Sequence, residues 1–115
     1  MDIEKLRTLC LSLKEVTEDV KWGHDLCFLI GGKMFCVTSL EGEPSVSFKL
    51  PDADYDEIST STGIIPAPYM ARNKWVQVQT WDRFSDPEWE NYVKQSYELI
   101  KSKLTKKLQK EIETS

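Results

Sequence analysis

His24 is the only histidine in the 115-residue chain, and the chain also holds three cysteines. Nucleophilic catalysis needs a histidine base beside a serine or thiol nucleophile, with a third group that orients the imidazole. His24 and the adjacent Asp25 also offer two metal ligands, but no second pair follows at the spacing of a metal site. Because His24 directly follows Trp22-Gly23, the sequence favours a polar turn residue over a catalytic base.

Gly31 and Gly32 separate two apolar runs, Leu26 to Ile30 and Lys33 to Thr38, which is the pattern of a two-residue β-hairpin turn. With the two glycines as the whole turn, Cys27 lies opposite Cys36, at a Cα separation of about 4.5 Å. One interpretation is a redox switch or half of a metal site, since this spacing admits a disulfide. The other, which we favour, is two packed, reduced thiols, because the cytoplasm keeps cysteines reduced.

The same register sorts the strand residues onto two faces of a sheet. Alternating apolar residues predict a core face that contains Leu26, Phe28, Phe35, Val37, Val46, Phe48, Val76 and Val78. The opposite face carries Cys27, Leu29, Met34, Cys36, Ser45, Ser47 and Lys49, with Trp75, Gln77, Gln79 and Trp81 on the corresponding side of a later strand. Such a face either binds an extended or flat ligand or is simply solvated.

Basic and aromatic residues form two groups that could contact phosphates and stack on bases. The candidate nucleic-acid or ligand contacts are Lys49, Arg72, Lys74, Trp75, Lys101, Lys103, Lys106 and Lys107. The alternative is that the lysines of the last helix complement its dipole and keep the protein soluble.

Composition and charge narrow the classes of function. The net charge of -4 argues against a basic surface for nucleic acid or anionic membranes, although local patches remain open. No apolar run is long enough to span a membrane, and charges within the first ten residues do not fit a secretory signal. We therefore expect a cytoplasmic, monomeric protein that forms one domain over residues 1–115 and needs no cofactor.

Periodicity predicts the elements that position these residues. A helix from Asp2 to Leu13 precedes strands at Glu18 to Trp22, Leu26 to Ile30, Lys33 to Thr38 and Ser45 to Leu50. A short helix from Pro51 to Thr60, a loop from Ile64 to Met70, a strand from Trp75 to Thr80 and one long helix from Pro87 to Leu108 complete the chain. The predicted fold class is α+β: a two-layer antiparallel sheet with the first and last helices packed on one face.

Several short segments, in order along nearly the whole chain, resemble the MmcQ/YjbR family. They are Gly32 to Phe35, Pro44 to Lys49, Ile65 to Met70, Asn73 to Val78 and Ser96 to Ile100. The resemblance implies a fold similar to bacterial frataxin (CyaY) and to type III secretion chaperones. Members of the family are often labelled DNA-binding proteins. The frataxin likeness also suggests an acidic iron-binding ridge, but the first helix here holds only Asp2 and Glu4 before Glu15.

Three functions follow from these patterns. The first is a non-enzymatic protein that binds DNA through the basic and aromatic loop and the C-terminal helix. The second is a module that binds a protein or small molecule through the open sheet face and the loop from Pro66 to Trp75. The third, which we consider weakest, is an enzyme built on His24 with Cys27 or Cys36.

Overall fold

The computed structural model describes residues 1–68 and 70–115. Within these residues, four α-helices and six strands occur in the order α1 (Ile3–Leu11), β1 (Val16–Lys21), β2 (Asp25–Ile30), β3 (Lys33–Ser39), β4 (Val46–Lys49), α2 (Asp52–Ser59), β5 (Ile64–Pro66), β6 (Trp75–Val78), α3 (Asp86–Lys101) and α4 (Lys106–Thr114). Two short 3-10 helices, Ala71–Asn73 and Trp81–Arg83, lie on either side of β6. In the described part of the chain, no helix has the length and hydropathy needed to cross a bilayer.

The six strands form one antiparallel sheet in the order β1-β2-β3-β4-β6-β5. The predicted α+β fold with an antiparallel sheet is therefore confirmed. Strand β5 lies where we predicted a loop, and it pairs with β6 from Ile64 opposite Val78 to Pro66 opposite Val76. Tyr69, in the loop that follows β5, lies outside the described residues.

The β2–β3 hairpin contains a bulge that the sequence did not reveal. Leu29 lies opposite Met34 as predicted, but Phe28 then pairs with Cys36, and Cys27 pairs with Val37. Phe35 is the extra residue, so every β3 side chain beyond it lies on the face opposite to the predicted one. The predicted pairing of Cys27 with Cys36 is wrong, and the predicted faces of Val37 and Cys36 are exchanged.

One face of the sheet, the inner face, packs against α1 and α3. Its aromatic side chains meet those of α3: Phe48 lies 6.4 Å from Trp89 between ring centroids, and Phe35 lies 5.4 Å from Tyr97. The Cys36 side chain is fully buried in the same cluster. Leu6 and Cys10 of α1 are buried in this cluster as well. The first helix and the main C-terminal helix therefore cover one face of the sheet, as predicted.

Capping side chains stabilise the first turns of α1 and α3. Asp2 accepts a hydrogen bond from the Lys5 amide at 2.8 Å, and Ser85 forms a reciprocal capping box with Glu88. Pro87 adds a first-turn proline to α3.

The long C-terminal helix that we predicted is divided in two. Helix α3 ends at Lys101, and Thr105 caps α4 by accepting from the Leu108 amide at 3.2 Å. Between them Leu104 covers the hairpin turn so closely that a Cβ on Gly31 would lie 2.7 Å from its Cδ1 atom. Gly31 also has a φ of +59°, so the backbone conformation favours glycine, and any larger residue would displace the Leu104 side chain.

Candidate ligand-binding groove

The face of the sheet opposite α1 and α3, the outer face, is ordered in rows by the strand register. One row runs from Cys27 through Val37, Ser47 and Gln77 to Ile65, because each residue is paired with the next across the sheet. The bulge at Phe35 brings Val37 into this row, where sequence alternation alone placed Cys36. The row therefore has apolar residues at both ends and the polar residues Ser47 and Gln77 between them.

A groove of about 630 Å³ lies over this row. Its floor includes Val37, Ser47 and Gln77, and its lining is completed by Trp22, His24, Asp25, Met34, Ser45, Ala67, Pro68 and Met70. The last three residues come from the segment after β5, so the loop predicted as part of a binding face supplies one wall. The volume lies within the range of small-molecule sites.

The opposite end of the groove is formed by the tight connection between β1 and β2. Trp22 has a φ of +55° and exposes 66% of its surface, which is unusual for so large an apolar side chain. The Leu40 amide donates a hydrogen bond to the His24 carbonyl at 2.8 Å and fixes this connection against the sheet. His24 is thus a turn residue, as the sequence indicated.

His24 and Asp25 bring an imidazole and a carboxylate into the lining of the groove. His24 Nε2 lies 3.9 Å from Asp25 Oδ1, beyond the reach of a hydrogen bond. The Asp25 side chain is one-quarter exposed. The imidazole therefore has no carboxylate partner at the distance that orients the base of a catalytic triad.

Lys49 lies in the outer face opposite Trp75 and is almost completely buried. Its ammonium group donates a hydrogen bond to the Asn73 carbonyl, which ties β4 to the loop. Burial lowers the pKa of Lys49, and the charge of Lys103 lowers it further. A buried ammonium that already has a partner is available to a phosphate only if the loop moves.

The other predicted contacts near this loop differ in exposure. Arg72 is exposed, and the Lys74 Nζ atom lies 5.0 Å from the centre of the Tyr55 ring. Trp75 is only 4% exposed. The expectation that its ring is free to stack on a ligand is therefore wrong, and Trp22 is the exposed tryptophan instead.

The lysines at the C-terminal end of the chain lie on α3, on α4 and in the connection between the two helices. Lys101 lies 3.5 Å from Glu98 and above the Tyr97 ring, whereas Lys103, Lys106 and Lys107 are exposed. Lys106 and Lys107 are the first residues of α4. The interpretation that they complement a helix C-terminus is therefore wrong, because cations are unfavourable at a helix N-terminus.

The cysteines are all buried and free. A hydrogen bond with the Cys36 thiol, together with burial, raises the pKa of Cys10 far above its ordinary value. Cys27 lies on the other side of the sheet, and burial raises the pKa of its thiol as well. In residues 1–68 and 70–115, no three metal-ligating side chains of His, Cys, Asp or Glu come together.

Sequence reasoning identified the outer face and the loop, but it missed the Trp22 and Asp25 wall. The position of Trp22-Gly23 between two strands could have indicated this wall, because a large aromatic residue in a tight turn has no core position to occupy. The role of Val37 could not be found in this way, since it depends on the bulge.

Comparison with known proteins identifies the family. The YjbR family model matches residues 11–99. The solved structure of protein DR2400 from Deinococcus radiodurans, described as having a DUF419 domain, is similar with a TM-score of 0.85 at 22% identity, over 96% of this chain and 86% of that one. A structural genomics target from Pseudomonas syringae gives a TM-score of 0.72 at 15% identity, over 86% of this chain and 98% of that one.

No curated protein matches the chain. The two structural likenesses show the same fold, and the family model spans most of the chain, including the entire sheet. On this basis the chain belongs to the YjbR family.

Proposed function

We propose that the protein binds a small molecule with an apolar body in the groove on the outer face, and that it acts by binding rather than by catalysis. The observation that carries this proposal is the groove itself, a concave space of about 630 Å³ between the sheet, the β1–β2 connection and the segment after β5. Sites of this size and shape commonly enclose most of a ligand's surface.

The chemistry of the lining supports a ligand with both apolar and hydrogen-bonding parts. Met34, Val37 and Met70 supply apolar surface, and methionine adapts readily to ligand shape. Ser47 and Gln77 add a hydroxyl and an amide to the floor. A few polar groups in a mainly apolar site fix the orientation of a ligand.

The non-catalytic part of the proposal is supported by the position of His24. Its imidazole is 3.9 Å from the Asp25 carboxylate, and the three thiols are buried. A base that Asp25 does not orient, together with thiols that solvent does not reach, argues against a site built on His24 and a cysteine.

Titration with the neutral fluorescent probe prodan tests the proposal. We expect saturable binding, accompanied by a blue shift as the probe leaves water. A probe of about 17 non-hydrogen atoms, at about -0.3 kcal/mol per atom, should bind with a dissociation constant near 0.2 mM.

Two variants show where the probe binds. Ser47→Phe places a ring between the cross-strand partners Val37 and Gln77 and should abolish binding, while an aromatic residue remains compatible with a strand. Ser102→Phe, at the exposed end of α3, is the matched control and should leave binding unchanged. Thermal melts establish that both variants fold. Equal binding by the native chain and the Ser47→Phe variant would reject the groove as the site.

A second candidate function is nucleic-acid binding, which the grouping of Lys49, Lys74 and Lys103 favours. The charges of Lys74 and Lys103 both contribute to the lowered pKa of Lys49, so three ammonium groups lie at one end of the sheet. Lys74 and Lys103 could neutralise one or two phosphates directly, and Lys49 would join them only if the loop moved away from its ammonium group.

Fluorescence anisotropy with a labelled DNA duplex of about 20 base pairs tests this candidate. We expect affinity to fall as salt rises, and Lys103→Gln to reduce the salt slope by about one. Lys94→Gln is the control, because Lys94 is paired with Glu90 at 2.7 Å on the exposed side of α3. An anisotropy that does not change at low salt would exclude the candidate.

A further inference from the structure

We infer that the groove selects an organic cation, a molecule with an apolar body and a protonated amine, and that Asp25 and Trp22 recognise the amine. This inference rests on the proposed function, and it names the class of ligand. It follows from the charges of the lining and from the position of one carboxylate.

Among the described residues that line the groove, Asp25 has the only carboxylate, and none is a lysine or an arginine. The residue begins β2, where its carboxylate lies beside the turn that carries Trp22. A carboxylate at the edge of an apolar groove favours a cation and repels an anion, and the low effective dielectric there strengthens both effects.

Competing cations near Asp25 are few. Lys21 is its cross-strand neighbour on β1, but in the described part of the chain no lysine or arginine forms an ion pair with Asp25. His24 is the sole ion-pair partner found there, at 3.9 Å. Much of the charge of Asp25 is therefore available to a ligand.

Trp22 adds a second feature that suits a cation. The residue is two-thirds exposed and lines the groove together with Asp25, which follows it three positions later in the chain. The face of an indole attracts ammonium groups more strongly than any other aromatic side chain. An amine between the indole and the carboxylate would leave the ligand's apolar body above Val37 and Met70.

The net charge of the whole protein acts in the same direction. At -4, it raises the local concentration of cations and lowers that of anions. An anionic ligand would meet the charge of Asp25 without a compensating lysine or arginine, since Arg72 and Lys74 of the loop lie outside the lining.

Three probes with the same naphthalene body test the inference at constant ionic strength near pH 7. They are 1-naphthylmethylamine, which is cationic, 1-naphthylmethanol, which is neutral, and 1-naphthoate, which is anionic. We expect the amine to bind about tenfold more tightly than the alcohol, and the carboxylate to bind most weakly.

Asp25→Asn keeps the size of the side chain and removes its charge. It should reduce the affinity for the amine about tenfold and leave the affinity for the alcohol within about twofold. Asp56→Asn, at an exposed position of α2 outside the lining, changes the net charge equally and should leave both affinities unchanged.

The outcomes separate the inference from the proposed function. Equal binding of the amine and the alcohol by the native protein would overturn the inference and leave the groove as a binding site. Binding of none of the three probes, together with no binding of prodan, would overturn both. The ranking in the native protein needs no variant, so the test holds even if Asp25→Asn is unstable.

Discussion

The two faces of the sheet are built from neighbouring residues of the same strands, yet they differ in how closely their side chains are packed. On the inner face Phe48 and Val76 are fully buried against the helices, and aromatic rings fill the space around Trp89. On the outer face Val37 and Gln77 are only partly buried and line an open groove.

This difference indicates that the inner face contributes most to the stability of the fold, whereas the outer face is available for ligand recognition. Close packing on the inner face means that each lost methyl group leaves a cavity. The centre of the outer face is an open groove, so its residues can change at lower cost and are free to recognise a ligand.

Matched valine substitutions give the largest expected contrast between the faces. Val76→Ala, on the inner face, should reduce the free energy of unfolding by about 2–3 kcal/mol. Val37→Ala, on the outer face, should reduce it by about 1 kcal/mol but should weaken prodan binding. Urea denaturation and probe titration measure the two effects. If Val76→Ala weakened binding and Val37→Ala did not, the division of roles would be wrong.

Ser96 provides the next largest effect, because it links the inner face to α3 through polar groups. Its hydroxyl accepts from the Lys49 amide at 2.9 Å and donates to the Phe35 carbonyl at 2.7 Å, and the side chain is fully buried. Ser96→Ala leaves a buried amide without its acceptor and should cost about 2 kcal/mol in urea denaturation.

Ser102→Ala is the matched control for this substitution. Its hydroxyl also donates to a backbone carbonyl, that of Leu99 at 2.7 Å, but it is exposed to water. We expect a change within about 0.5 kcal/mol. Equal effects of the two substitutions would mean that the Ser96 bridge does not hold the bulged strand to α3.

The smallest expected effect lies at the edge of the inner face, where Arg7 of α1 contacts Glu18 of β1 at 2.7 Å. The hydrogen bond from Arg7 is the main reason that the pKa of Glu18 is lower than its ordinary value of 4.5. A lowered carboxyl pKa stabilises the fold above the ordinary value, and this contribution is lost as the pH falls through the folded-state pKa.

Arg7→Gln should therefore reduce the free energy of unfolding slightly at about pH 6 and have no such effect at about pH 2. Urea denaturation of the native protein and of the Arg7→Gln variant between these two pH values measures the difference in the free energy of unfolding. A difference that grows as the pH falls would contradict the sign of the shift.

The sequence predicted the inner face well because burial imposes periodicity. Val46 and Phe48 alternate with polar neighbours, and Ser85 through Glu88 carry a complete helix start, so strand and helix positions could be read locally. The family resemblance led to the same fold, and the family match and the solved structures confirm it.

The outer face was predicted less well because its geometry depends on interactions that are distant in sequence. The bulge at Phe35 places that ring against Tyr97, and the same bulge moves Val37 to the groove. Leu104 breaks the C-terminal helix to cover Gly31, a contact over more than seventy residues. Neither effect leaves a periodic signal in the local sequence.

Chemical-shift mapping with 1-naphthylmethylamine tests the central claim most directly, because the indole N–H groups of the tryptophans report on both faces. We predict that the Trp22 indole and the Gln77 side-chain amide shift during the titration. The Trp89 indole donates to the Trp81 carbonyl at 3.0 Å in the inner cluster and should not shift. Shifts confined to Trp89, or to residues of α3 and α4, would show that the outer groove is not the binding site.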